Sequence, residues 1–134
     1  MILIDTNIFV SYENIDDINH EKAVNLIKKI EKGDYGQIAV LDHVLSETLT
    51  VLYLKQKKFN VAVGIGKKIL AIYPILFLDK HDMENAFDIF SAQKSTKYSF
   101  PDCAQIALAK NHGIEYIATF DEEFKKSGIK IVNK

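Results

Sequence analysis

Arginine and tryptophan are absent from this chain, cysteine occurs once and proline twice. Each shortage removes a class of protein. A single cysteine, Cys103, cannot form an intrachain disulfide, which excludes a disulfide scaffold and fits a reducing compartment, here the cytoplasm. Its alanine-rich setting, CAQIALA, makes it a small buried packing residue. Without arginine, all seventeen basic residues are lysine, so any anion is met by point charges and not by planar bidentate forks. A net charge of −1 does not announce nucleic acid by composition. Local clusters, Lys55 with Lys57 and Lys58, Lys67 with Lys68, and Lys125 with Lys126, each read first as solvated helix faces. The apolar runs are too short to cross a bilayer, and no basic segment precedes a hydrophobic one, so neither a membrane span nor a signal peptide is expected.

What remains is 134 residues, 48% of them apolar, enough for one compact domain with a real core. Short β-like runs (2–4, 37–41, 75–78, 115–120 and 129–132) alternate with helical patterns at about 19–32, 43–57, 60–72, 81–93, 101–112 and 122–126. Gly33 and Gly36 bracket a turn, Pro74 stops a helix before a strand, Pro101 suits a first helical turn, and His112-Gly113 reads as a helix end with a left-handed terminator. Continuous apolar strands alternating with helices predict a parallel sheet covered on both faces, a three-layer α/β/α sandwich.

That architecture fixes where chemistry belongs, because open parallel sheets bind ligands beyond the carboxyl ends of their strands. Asp5 ends ILID and Asp121 follows YIATF. Asp42 and Asp79 occupy similar positions but are assigned as caps of the helices that follow. Two further acids are harder to excuse. Glu47 shares a helical face with Val44, Val51 and Leu54, which puts a carboxylate inside an apolar stripe. Asp102, after the helix-starting proline, lines up with Ile106 and Ala109 on a face expected to meet the sheet, although a first-turn acid also suits the helix dipole. Buried carboxylates need a cation or donors. A hard divalent ion, Mg2+ or Mn2+, would satisfy all four, whereas scattered histidines (His20, His43, His81, His112) and a lone cysteine disfavour zinc. Acids clustered around such an ion suit phosphoryl chemistry. The stretch VGIGKK, with Gly64 and Gly66, lacks P-loop spacing and reads as a loosely packed helix or a kink.

The segments ILIDTN, VLSETLTVL, SFPDCAQIALAKNHG and IATFDEEF, in this order and spanning nearly the whole chain, resemble the PIN domain family, and more closely its VapC-like ribonuclease toxins. The resemblance implies a single PIN-like nuclease domain over 1–134 with a five-stranded, mainly parallel sheet, and a metal-dependent endoribonuclease using one or two Mg2+ or Mn2+ ions. It implies Asp5, Glu47, Asp102 and Asp121 as metal-binding acids, with Thr6, Asn7 and Thr119 supporting them, and Glu122 or Glu123 able to share the part of Asp121. It also implies RNA as substrate, a VapB-like antitoxin as partner, and a homodimer. The alternatives are a non-catalytic PIN-like scaffold or RNA-binding module, or a housekeeping RNA-processing nuclease. The missing arginines depart from many relatives and leave RNA contacts to lysines and backbone amides.

Overall fold

The computed structural model describes residues 1–134. Its elements run β1 (Ile2–Ile4), α1 (Thr6–Glu13), α2 (His20–Glu31), β2 (Ile38–Leu41), α3 (Asp42–Thr50), a π-helical turn (Val51–Lys55), α4 (Phe59–Ile72), β3 (Ile75–Leu76), α5 (Lys80–Ser91), α6 (Phe100–Asn111), β4 (Tyr116–Ala118), a 3-10 segment (Glu122–Ser127) and β5 (Lys130–Val132). The five strands form one sheet in the order β3-β2-β1-β4-β5, with every pairing parallel. Chain order reverses beside β1: the chain leaves β1 toward β2 and leaves β4 toward β5. Right-handed crossovers then put α1 to α4 over one face and α5 and α6 over the other. The expected three layers are present. No helix is long and apolar enough to cross a membrane.

The core grows from the strands outward. Ile2, Leu3, Ile4, Val40, Leu41, Ile117 and Ala118 are buried on both sides of the sheet, as a doubly covered parallel sheet requires. Leu26, Ile27 and Ile30 of α2, Ile65 and Ile69 of α4, and the unbroken buried run Cys103–Ala109 of α6 complete one hydrophobic cluster. Cys103 is the buried packing residue its neighbours implied.

Several boundaries differ from the sequence pattern. No helix was expected over 6–13, yet α1 starts one residue after β1. Its apolar residues Ile8, Phe9 and Val10 are consecutive, so no helical period shows after the polar turn Asp5-Thr6-Asn7. The third strand ends at Leu76 because it is an edge strand paired only through Val40–Ile75 and Leu41–Leu76. The expected helix over 43–57 closes as a π-helical turn after Thr50. Asp42 is not a cap: Leu41 takes that position and Asp42 is a first-turn acid, whereas Asp79 forms a full capping box with Asp82. VGIGKK lies in the continuous helix α4 and is neither loose nor kinked, since a Cβ at Gly66 would stand 3.0 Å from Leu49, marking a close approach of α4 to α3.

The pair α5 and α6 is fastened by Asp82, which is 2% exposed. It accepts from Asn111 Nδ2 at 2.9 Å, contacts His112 Nε2 at 3.2 Å and accepts from Asp79 N at 3.2 Å. Burial opposes its ionisation, but these bonds and the nearby His112 outweigh burial and hold its carboxyl below the ordinary aspartate range. A depressed native pKa gives stability that is present above the unfolded value and lost as pH falls through the native one. Asp82→Ala is therefore expected to cost about 3 kcal/mol in urea denaturation near pH 7, the sum of a cap and charge-assisted bonds. The gap to wild type should narrow below pH 3.8, the ordinary aspartate value.

Candidate metal centre

Asp5 leaves β1 in extended conformation (φ −84, ψ 159) and caps α1, so its carboxylate sits at the carboxyl end of the central strand. It is 8% exposed. Oδ1 accepts from Thr6 N at 2.8 Å and from Gln105 Nε2 at 3.0 Å. Oδ2 accepts from Thr119 Oγ1 at 2.8 Å and from Asn7 Nδ2 at 3.3 Å. Asn7 is itself locked, donating to Thr119 Oγ1 at 3.0 Å and accepting from Phe120 N at 3.0 Å. Thr119 Oγ1 also accepts from Asp121 N at 3.0 Å. The supporting positions Thr6, Asn7 and Thr119 thus converge on Asp5, Thr6 through its backbone alone.

Around Asp5 opens a cleft of about 300 Å3 lined by Glu47 of α3, Asp102 of α6 and Asp121 after β4, together with Ser99, His43 and Gln105, and by no lysine. It lies beside β1 and β4, where strand order reverses, as expected for an open parallel sheet. The four acids come from four separate elements and face one another across it. Burial raises the carboxyls of Asp5, Glu47 and Asp102 above their ordinary values, and neighbouring charges add to this: Asp121 on Asp5, Asp5 and Asp102 on Glu47, Asp5 and Asp121 on Asp102. For Asp5 the bonds from Thr119, Gln105 and Thr6 pull the other way, and for Glu47 so does Lys55.

Two details correct the sequence reading. Glu47 is not inside an apolar stripe, because it is exposed to the cleft, and Leu54 on the same face is 63% exposed. Asp102 does not lie against the sheet. It folds back as the far half of a capping box, accepting from Ser99 N at 3.0 Å while Asp102 N donates to Ser99 Oγ at 3.3 Å. Glu122 and Glu123 are outside the cleft: Glu122 pairs with Lys125, and Glu123 with Lys126 at 2.9 Å and with Lys97 N at 3.2 Å. The lysines at 125 and 126 are thereby spent on local pairs.

Three residues of the cleft escaped the sequence pattern. Gln105 is the one polar residue in the buried run CAQIALA, three positions after Asp102, and that isolation was a usable signal. Ser99 was announced by the spacing of SFPD, a hydroxyl three residues before an acid at a helix start. His43, whose pKa is lowered by burial, carried no sequence signal.

The donor set suits a hard divalent cation: carboxylate oxygens, mutual repulsion and no basic side chain among them. Buried atoms of Thr6 (Oγ1), His43 (Nε2) and Gln105 (Oε1) on the lining have no hydrogen-bond partner. The acids are not already closed into a cage, since no three His, Cys, Asp or Glu side chains converge at ligand spacing. The reason is local. Asp102 is turned onto Ser99, and both oxygens of Asp5 are taken.

Acids from four elements lining one cleft at the switch point of a parallel sheet define an α/β protein with an acidic site at its strand ends. The chain belongs to the PIN domain family, whose model matches residues 2–130. It is 27% identical over 124 residues to a VapC ribonuclease of Archaeoglobus fulgidus, covering 91% of this chain and 78% of the relative. Its fold matches the Mycobacterium tuberculosis VapC20 structure, a sarcin-ricin loop cleaving toxin, with a TM-score of 0.86 at 22% identity and full coverage of both chains. It also matches the Rickettsia felis VapBC2 structure bound to a promoter DNA fragment, with a TM-score of 0.75 at 18% identity, covering 99% of this chain and 98% of that one.

A raised native pKa reverses the sign worked out for Asp82: stability is full below the unfolded value and is lost as pH rises through the native one. Asp102→Asn, which keeps an acceptor for Ser99 N, should therefore raise the melting temperature by a few degrees at neutral pH in chelator. The gain should vanish below pH 3.8, the ordinary aspartate value, as differential scanning calorimetry at the two pH values would record.

Proposed function

We propose that this chain is a divalent-metal-dependent endoribonuclease, the toxin of a VapBC-type toxin-antitoxin pair, acting in the cytoplasm. One observation carries the reading: four carboxylates from distant parts of the chain line one cleft that contains no lysine. Kinship with a VapC ribonuclease over 91% of the chain names the chemistry such a cleft serves. Asp5, Glu47, Asp102 and Asp121 are the residues that hold one or two Mg2+ or Mn2+ ions. When bound, the cation activates water for attack on phosphorus and neutralises charge on the leaving oxygen.

The chain's own residues do the rest. Thr6 N, Asn7 and Thr119 fix the direction of the Asp5 carboxylate, the part that supporting groups play around metal ligands. Asp102, on the first turn of α6, has its backbone N–H held by Ser99 Oγ, and its side chain reaches a cation by giving up the bond from Ser99 N. Glu47 of α3 is exposed on the lining of the same cleft. Four carboxylates repel RNA phosphates, so the substrate is held by the cation and by lysines outside the cleft, and binding is salt-sensitive.

The partner reading has support beside the cleft. Leu49, Tyr53, Leu54, Phe59, Val63 and Leu70 line an apolar groove of about 410 Å3 between α3 and α4, with Leu54, Phe59 and Leu70 each more than half exposed. A contiguous exposed apolar surface of this kind marks an interaction site, and we assign it to the antitoxin, with a homodimer as the toxin's own state.

Two measurements test the reading. Asp102→Ala is expected to lower RNA cleavage by about a hundredfold or more, the scale for losing one group that stabilises transition-state charge, with an unchanged circular dichroism spectrum. Mn2+ should raise the melting temperature of the native protein but not of Asp5→Asn. An Asp102→Ala variant that cleaves at the native rate, or equal Mn2+ shifts for both proteins, would favour a non-catalytic scaffold.

A further inference from the structure

Asp5 carries more donors than a metal-binding carboxylate can keep. An ionised carboxylate offers about four lone-pair directions over its two oxygens. All are filled here, Oδ1 by Thr6 N and Gln105 Nε2 and Oδ2 by Thr119 Oγ1 and Asn7 Nδ2. A cation that binds Asp5 must displace one of them. Three are braced elsewhere. Thr6 N is a peptide group at the start of α1, Thr119 Oγ1 also serves Asn7 and Asp121 N, and Asn7 is held by Thr119 and Phe120 N. The Asn7 bond is the longest of the four at 3.3 Å, but those two anchors keep its amide in front of Oδ2 even if that bond is given up.

Gln105 differs from the others. The side chain is 1% exposed and reaches the cleft from α6, and its one hydrogen bond is to Asp5, at 3.0 Å. The carboxylate dictates which end of the amide it meets, because only the NH2 end donates. Oε1 is consequently left buried without a partner, an expensive condition for a carbonyl. Swinging into the cleft would hydrate both ends of the amide. Leaving Asp5 is therefore cheaper for Gln105 than for any other donor.

We propose that Gln105 is the donor a divalent cation displaces: its amide stands in for positive charge on Asp5 Oδ1 and thereby sets the cation affinity of the cleft. The inference rests on the nuclease reading of the same cleft and deepens it. Gln105 is a positioning residue, acting through Asp5 and touching neither RNA nor the reacting atoms. A neutral amide supplies part of what an ion supplies to a carboxylate, so it makes the buried Asp5 tolerable before an ion arrives and competes with the ion afterwards.

The test is an equilibrium Mn2+ titration of the full chain, with free ion read by electron paramagnetic resonance. Gln105→Met keeps the length without the donor, and Gln105→Asn keeps an amide too short to reach Asp5. Both are expected to lower the Mn2+ Kd on the order of tenfold, while the melting temperature in chelator falls through loss of the bond to Asp5. A role limited to orienting Asp5 or packing α6 would give the opposite sign. Unchanged or weaker Mn2+ binding in the folded variants overturns the proposal, and if Gln105→Met does not fold, Gln105→Asn decides. Should the wild type itself take up no Mn2+, the nuclease reading falls first and this inference with it.

Discussion

The buried carboxylate of Asp5 is the constraint on which the rest of the site depends. It ends the central strand, caps α1, and receives Gln105 from α6 and Thr119 from β4, so four elements are referred to one side chain. An ionised group this far from water is tolerable only with donors or a cation around it. The hydrogen bonds supply part of that requirement. Glu47, Asp102 and Asp121 work against it, since each adds negative charge to the same cleft. A fold that collects repelling groups at its one topological switch point gives up stability there, and strain of this kind collects where ligands bind.

The stability is recovered elsewhere in the molecule. Asp82 joins α5 to Asn111 and His112 at the far end of α6, the helix whose first turn carries Asp102 and whose second carries Gln105. The buried run Cys103–Ala109 seats the same helix in the core. Asp102 and Gln105 are thus presented from a helix held along its length. The two aspartates of this half of the chain have opposite electrostatics for an intelligible reason. Asp82 is surrounded by donors and a histidine, and Asp102 by other carboxylates.

Much of this was legible in the residues. Apolar runs such as ILI and the AVL of β2 mark the strands, and the alternation with helical patterns yields the layered parallel sheet. Asp5 and Asp121 stand out as acids at strand ends, a position they share with Asp42 and Asp79, and both line the cleft. Other features were hidden because they depend on pairing across the chain. The apolar residues of helix α1, Ile8 to Val10, are consecutive and strand-like in type, so periodicity does not mark it as a helix. The length of β3 is set by its place at the sheet edge, which local sequence does not encode. Glu47 is less deeply buried than its apolar neighbours imply, since the stripe around it borders a groove and is itself partly exposed. Gln105 stands out in the sequence only as a lone amide in an apolar helix, and its role follows from the acid it faces, a hundred positions away.

The absence of arginine shapes the account as well. With no bidentate fork available for phosphate, the recognition of RNA is left to lysines as point charges, several of which, Lys125, Lys126 and Lys68, are already paired with glutamates. In the proposed nuclease the acidic cleft depends on a cation to draw a polyanion toward it. The most direct test of that dependence is a crystal of the protein equilibrated with Mn2+ and examined for anomalous scattering. The account predicts an ion in the cleft touching Asp5 and at least one of Glu47, Asp102 and Asp121. Full density for the protein with no ion there, or an ion bound only at other surface carboxylates, would contradict it.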